Sequence, residues 1–261
     1  MLILEHNHNT DRLEVRFQTL LAPPPYSHEY LLQLDFSLEE PLAYFQINYT
    51  DRDQLTEEEI LEEGFSPEDD FEWKGALPKV WKAATLDFLN KTKTLIEKPK
   101  PNSQHLLELL IDYTNSEQTK GIPDNAEDWE YFVQEIIQAI YEISEKELPL
   151  EISYVEQGKS NKQIIHIHVR FSQRSLQVVQ EKVGKKKEHN LLWEQLMPLL
   201  QAVYLPDYDP EKAKQNLPDA PGKYIDQGDG LWYELGKAVT NPSKKVDAVG
   251  KLEKMLKEFF S

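Results

Sequence analysis

The stretch that decides the fold class runs from Ala126 to Phe171 and reads AEDWEYFVQEIIQAIYEISEKELPLEISYVEQGKSNKQIIHIHVRF. Its first part repeats apolar side chains at the period of a helix with one buried face: Trp129, Phe132, Val133, Ile136, Ile137 and Ile140. After Pro149, apolar and polar residues alternate on both sides of a turn at 157–161, as in a β-hairpin. The alternating apolar residues are Leu150, Ile152, Tyr154, Ile165, Ile167, Val169 and Phe171. A long helix followed by an antiparallel hairpin predicts an α+β fold.

The first fifty residues show the same alternation. Leu13, Val15 and Phe17 alternate with polar side chains, and two further alternating runs follow at 30–36 and 43–49. Three prolines at 23–25 end the first run, because proline has no amide hydrogen to donate to a sheet. We expect an antiparallel meander here, with residues 2–6 pairing back on the strand around Val15.

Helical periodicity recurs along the chain and predicts about six helices, the last of them a C-terminal amphipathic helix. Besides the helix at 126–145, they are expected at 77–88, 106–113, 172–183, 192–203 and 246–259. The run at 172–183 also fits a strand, and we assign it to a helix. A shorter helical piece is expected at 55–61.

This order of elements predicts three ranges. Residues 1–100 hold the N-terminal antiparallel meander, an acidic loop and a helix; residues 101–206 form a helix–hairpin–helix region; residues 207–261 hold an irregular segment and the C-terminal helix. One compact domain made of all three ranges is the alternative, since 261 residues fit one large domain. Both halves contain a hairpin followed by a helix with one tryptophan, so an internal repeat is also left open.

Composition limits the classes of function. The chain has no cysteine, which excludes a thiol nucleophile, a thiolate zinc site and a disulfide. Neither a signal-peptide core nor an apolar run of ~20 residues is found, so we expect a cytoplasmic protein with no membrane contact. The formal net charge is −17, from 46 acidic and 29 basic residues. Such an excess of acids argues against a nucleic-acid partner.

Much of this charge lies between Asp51 and Glu72, where eleven acids accompany a single base, Arg52. Like charges at close spacing repel, so we expect a solvated and mobile segment. It is the first candidate surface for a protein partner. The C-terminal helix is the second, although burial of its apolar stripe within the chain is the favoured interpretation. The sequence leaves the oligomeric state open.

His166 and His168 are the candidate metal ligands. They project from one face of the predicted hairpin, and imidazoles at this spacing can both reach one ion. Arg170 follows on the same face, where its positive charge would repel a metal. We therefore predict that this pair holds no metal. His6 and His8 form a second pair with the same spacing.

The segment 222–233 combines glycines with acids and aromatic residues. Such a combination can line a ligand cleft, and its candidate ligand- or partner-binding residues are Asp226, Asp229, Trp232 and Tyr233. The favoured interpretation is a glycine-rich turn that Trp232 anchors in the core. The spacing matches no phosphate-binding loop, dinucleotide fingerprint or calcium loop, so no cofactor is expected.

The sequence contains no recognised catalytic motif, and whether the protein is an enzyme is left open. The leading hypothesis is a cytoplasmic, non-catalytic interaction or assembly protein. The first alternative is a hydrolase or metal-dependent enzyme that uses His166, His168 and nearby acids. The second is an acidic decoy for a nucleic-acid-binding protein.

Overall fold

The computed structural model describes residues 2–4, 9–99, 103–114, 117–182 and 184–259. It is a mixed α+β structure with mostly antiparallel sheets, and it divides into two compact units, Met1–Glu147 and Leu148–Ser261. His6 and His8 lie outside the described residues. None of the helices in the described part of the chain has the length and apolar composition that a membrane crossing requires.

In its described residues, the N-terminal unit contains an eight-stranded sheet and three α-helices. The strands are β1 (Leu2–Ile3), β2 (Thr10–Thr19), β3 (His28–Asp35), β4 (Leu42–Tyr49), β5 (Phe71–Ala76), β6 (Thr94–Ile96), β7 (His105–Tyr113) and β8 (Gln118–Pro123). The helices are α1 (Glu57–Glu62), α2 (Val80–Leu89) and α3 (Ala126–Ile143). The strand order is β1-β6-β8-β7-β2-β3-β4-β5.

The predicted meander is confirmed by the pairing of β2 to β4, and the sheet adds β5, which was not predicted. Val15 pairs with Leu32 and Leu32 with Phe45, so the three side chains share one face, where each is fully buried. The prediction for the first residues is wrong, because Leu2 and Ile3 pair with β6. Both edges of β2 are already taken by β3 and β7, which leaves β2 no free edge.

The helix expected at 106–113 is the strand β7, which is a correction. Leu107, Leu109 and Ile111 are buried on one face, while Leu106 and Leu110 point to the other. A run of leucines satisfies the helical and the strand period equally well. The neighbouring strands decide for the strand, because β7 pairs with β2 from His105 to Tyr113 and with β8 from Leu109 to Asp112.

The long helix predicted at 126–145 is confirmed as α3. All six residues of its apolar stripe are buried. Phe132 stacks on Phe88 of α2 at 4.5 Å between ring centroids, and Tyr141 meets Phe45 of β4 edge-on. Helices α2 and α3 therefore cover the same face of the sheet as the buried residues of β2 to β4.

The described part of the C-terminal unit contains a six-stranded sheet, a two-stranded sheet and two α-helices. The strands are β9 (Leu150–Gln157), β10 (Lys162–Arg170), β11 (Ser175–Lys182), β12 (Lys185–Leu191), β13 (Asp207–Tyr208), β14 (Gly222–Asp226), β15 (Tyr233–Glu234) and β16 (Val239–Thr240). The helices are α4 (Leu196–Tyr204) and α5 (Ala248–Glu258). The larger sheet has the order β12-β11-β10-β9-β14-β15, and β13 pairs with β16.

The predicted hairpin is confirmed as β9 and β10, but the helix expected at 172–183 is wrong. That region forms β11, where Leu176 and Val178 point into the core. Adding a strand to the free edge of β10 buries both side chains without a helix. Two of the about six predicted helices are therefore strands, β7 and β11. The four that remain, together with the short helix α1, make five α-helices in the described residues.

The C-terminal amphipathic helix is confirmed as α5 and packs within its own unit. Leu252 and Leu256 are fully buried in one cluster with Leu199 and Val203 of α4 and with the apolar side chains of β9, β10 and β11. Asp247 caps the helix by accepting a hydrogen bond from the amide of Gly250 at 3.0 Å. The apolar stripe is thus occupied, and a partner of α5 would have to bind its polar side.

Candidate functional site

His166 and His168 lie on β10, on the face of the six-stranded sheet opposite α4 and α5. The Nδ1 of His166 is 2.9 Å from the hydroxyl oxygen of Ser153. The Nδ1 of His168 and the guanidinium of Arg170 both contact the carboxylate of Glu151 on β9. The two imidazoles are therefore engaged by different residues of the neighbouring strand.

No three His, Cys, Asp or Glu side chains among the described residues are grouped so that they can hold a metal ion. That this pair holds no metal stays a prediction.

Partial burial lowers the pKa of His166, against the opposing effect of the Glu181 carboxylate. A neutral imidazole bonded to a serine is one arrangement of a nucleophile and its base. However, β9 pairs with both β10 and β14 around Ser153. The neighbouring backbone amides are therefore already hydrogen-bonded within the sheet and are not available to stabilise an oxyanion.

Asp226 and Gly228 begin the turn between β14 and β15. The Asp226 carboxylate accepts hydrogen bonds from the amides of Gly228 at 2.9 Å and Gly230 at 3.1 Å. Both glycines have a positive φ, which other residues rarely adopt. The carboxylate thus stabilises a backbone conformation that the glycines permit.

Asp229 and Tyr233 close the same turn. Asp229 accepts a hydrogen bond from the Tyr233 hydroxyl at 2.6 Å and another from the amide of Leu231. Burial raises the pKa of Tyr233 to about 12, and the Asp229 carboxylate adds to the effect. Tyr233 is 3% exposed whereas Trp232 is half-buried, so Tyr233 anchors the turn in place of Trp232. Ligand binding by Asp226, Asp229, Trp232 and Tyr233 stays a prediction.

The acidic segment Asp51–Glu72 contains the predicted short helix, α1. Thr56 and Glu59 form a capping box, in which the Thr56 hydroxyl accepts from the Glu59 amide and the Glu59 carboxylate accepts from the Thr56 amide. The carboxylates of Glu57, Glu58 and Glu62 are exposed. Three acids in the first turn also suit the positive end of the helix dipole.

Arg52 holds the segment together. Its guanidinium donates hydrogen bonds to the carbonyl oxygens of Pro25 at 3.2 Å and Ser66 at 2.6 Å, and to the Asp69 carboxylate at 3.1 Å. It also lies 3.8 Å from the centroid of the Tyr49 ring. Because the side chain is 10% exposed, these contacts fasten both ends of the segment to β4 and to the loop before β3.

Apolar side chains lie among the acids of this segment. Leu61 of α1 is 54% exposed, and Tyr26 is 44% exposed. The Tyr26 hydroxyl donates a hydrogen bond to the Glu63 carboxylate, and its ring meets Phe65 edge-on at 5.2 Å. We call the surface made by Tyr26, Leu61 and the exposed acids of 57–63 the acidic surface.

A groove of about 400 Å³ crosses four strands on the face of the N-terminal sheet that points away from α2 and α3. The strand register places its outward side chains in two rows. The first row is Leu106, Gln18, Glu29 and Asn48; the second is Glu108, Arg16, Leu31 and Gln46. Glu72, the last acid of the segment, pairs with Gln46 and so continues the second row.

Sequence reasoning missed this groove. Eight of the ten lining residues point outward from alternating strands, where side chains are normally expected to face solvent. The other two, Phe17 and Tyr30, are buried residues of β2 and β3. The polar side chains of β2, β3 and β4 are visible in the sequence, but their alignment depends on the register and on β7 being a strand. Comparison of the chain with protein-family models, with curated proteins and with solved structures found no match.

Proposed function

We propose that the protein is a cytoplasmic, non-catalytic interaction protein whose N-terminal unit docks a basic protein partner. The observation that carries this proposal is the partition of charge. The N-terminal unit holds 31 of the 46 acidic and 12 of the 29 basic residues, a formal net charge of −19. The C-terminal unit holds the other 15 acids and 17 bases, a net charge of +2.

Such a field steers a partner of opposite charge, and the acidic surface offers contacts for it once it arrives. Exposed Leu61 and Tyr26 supply apolar contacts between the carboxylates, a mixture that suits a short basic helix or loop. Arg52 supports this role because it fixes the segment before binding, which reduces the ordering that a partner would have to impose.

The test is binding of fluorescently labelled hexalysine to the full chain at low ionic strength, measured by anisotropy. Replacing Glu57, Glu58 and Glu62 by Gln should weaken binding about tenfold, since each exposed charge contributes ~0.2–1 kcal/mol. The matched control replaces Glu188, Glu194 and Glu211 of the C-terminal unit by Gln and should leave the affinity within a factor of two. Affinity should also fall steeply as salt rises.

Equal losses in both triple variants would mean that net charge alone attracts the probe, and the acidic surface would be rejected. Absence of hexalysine binding to the unchanged protein would reject the proposed function as a whole.

A further inference from the structure

We propose that the groove on the N-terminal sheet binds about four extended residues of the basic partner. Its side-chain amides form hydrogen bonds with the backbone peptide groups of these residues. This inference rests on the proposed function, because the bound residues belong to the same basic partner. Glu72, the last acid of the segment, pairs with Gln46 of the groove lining. Strands lie ~4.8 Å apart, so a groove over four strands is about 14 Å long. An extended chain rises about 3.3 Å per residue, which gives about four residues.

The chemistry of the lining suits a peptide backbone. Gln18, Gln46 and Asn48 carry primary amides, which donate and accept hydrogen bonds as a peptide group does. Along β4 the Tyr44 hydroxyl donates to Gln46 at 3.1 Å, and the Gln46 amide donates to Asn48 at 3.4 Å. These two hydrogen bonds orient the side-chain amides of Gln46 and Asn48. They leave at least one amide hydrogen of each residue able to donate to a ligand.

The charges of the groove select a basic sequence. Glu29 is exposed, its carboxylate has no hydrogen-bond partner among the described residues, and it lies next to Gln18 across the β2–β3 pair. Glu108 is bonded to Lys120 at 2.9 Å and remains available at its second oxygen. A lysine or arginine of the bound segment therefore has a carboxylate within the groove.

Other ligand classes fit less well. The one cation of the lining, Arg16, is bonded through Nε to the buried carboxylate of Glu14 at 2.7 Å. One paired guanidinium beside two carboxylates does not favour phosphate. The apolar lining residues are Leu31, Leu106, Phe17 and Tyr30. Because the two aromatic side chains are only 7% and 4% exposed, neither offers a stacking platform for a sugar or a base.

The experiment compares two probes on the full chain. Hexalysine has peptide amides, whereas spermine is a polycation without them. The double variant Gln18→Ala, Gln46→Ala should weaken hexalysine binding about tenfold, through the loss of two or more hydrogen bonds, and leave spermine binding unchanged. The control Gln118→Ala, Gln134→Ala removes two exposed amides of the same unit outside the groove and should affect neither probe.

The side-chain amide resonances of Gln18, Gln46 and Asn48 should also shift in ¹⁵N correlation spectra on adding hexalysine, but not on adding spermine. If the groove variant binds hexalysine as the unchanged protein does while the Glu57, Glu58, Glu62 variant does not, the groove assignment is wrong and the proposed function stands. If the affinities of the groove variant for hexalysine and for spermine fall equally, the groove attracts both probes by charge alone and the peptide assignment is wrong. If the unchanged protein does not bind hexalysine, both proposals are wrong.

Discussion

Arg52 shows how one residue determines the behaviour of a whole segment. Twenty-one neighbours between Asp51 and Glu72 include eleven acids, and repulsion among them favours an open loop. The guanidinium opposes this by joining Pro25, Ser66 and Asp69 at once while lying over the Tyr49 ring. A planar fork with five donors can make all these contacts, and a lysine ammonium cannot.

Arg52→Lys should therefore lower the free energy of unfolding by about 1–3 kcal/mol, because a largely buried network loses hydrogen bonds and a ring contact. The amides of Phe65 and Ser66 should lose protection in hydrogen exchange, since Phe65 donates to Ile60 and Ser66 to Asp69 in the folded segment. The control Arg12→Lys, at an exposed position of β2, should change stability by less than about 0.5 kcal/mol. The expected mobility of the acidic segment stays a prediction. Fast exchange at Phe65 and Ser66 in the unchanged protein would support it and would contradict the role given to Arg52.

Among the elements, α5 shows how packing against the rest of its unit stabilises an amphipathic helix. Its eleven residues are too few for a stable isolated helix. Burial of Leu252 and Leu256 in the core of the C-terminal unit stabilises it, and the Lys223–Glu253 ion pair at 2.6 Å joins it to β14. The two lysines that contact Glu253, Lys223 and Lys257, lower the pKa of its carboxyl against the effect of burial.

Leu252→Ala should lower the free energy of unfolding of the C-terminal unit by about 2–5 kcal/mol, the usual effect of a leucine truncated in a core. Lys251→Ala, one position away on the exposed side, is the control and should cost less than about 0.5 kcal/mol. Urea unfolding followed by tryptophan fluorescence measures both. If both substitutions change the free energy of unfolding equally and by little, the apolar stripe of α5 is not part of the core. The stripe would then again be a candidate surface for a partner.

At the scale of the whole molecule, the two units differ most in charge. The net charge of −17 comes from a unit at −19 and a unit at +2. Dense negative charge opposes the compact state of the first unit by self-repulsion, whereas the second has almost none to overcome. Each unit has its own sheet with buried apolar side chains, as an independently folding domain requires.

The fragments Met1–Glu147 and Leu148–Ser261 should each fold alone with a cooperative thermal transition. Raising sodium chloride from about 10 to 500 mM screens exposed charges. It should raise the melting temperature of the N-terminal fragment by several degrees and change that of the C-terminal fragment much less. An equal rise in both fragments would exclude self-repulsion as the cause, and a fragment that stays unfolded would contradict the division at Glu147.

The sequence by itself determined the features that depend on neighbours along the chain. The stripe of α3, the β9–β10 hairpin, the meander of β2 to β4, the short helix α1 and the stripe of α5 each follow from the spacing of apolar side chains. The concentration of acids around Asp51–Glu72 is equally local. These features are predictable because helical and extended backbones place side chains on a face with fixed periods.

Only the tertiary structure decided the features that depend on strands from distant parts of the chain. The leucine-rich run at 105–113 became β7 because β2 and β8 offered ladders on both sides, which a local period does not reveal. The same pairing aligned Glu108 and Leu106 with Arg16, Gln18 and Leu31 to form the groove. Arg52 likewise acquired its partners from loops that are up to 27 residues away. Register and long-range hydrogen bonds are set by the free energy of the whole sheet, so no single stretch of sequence contains them.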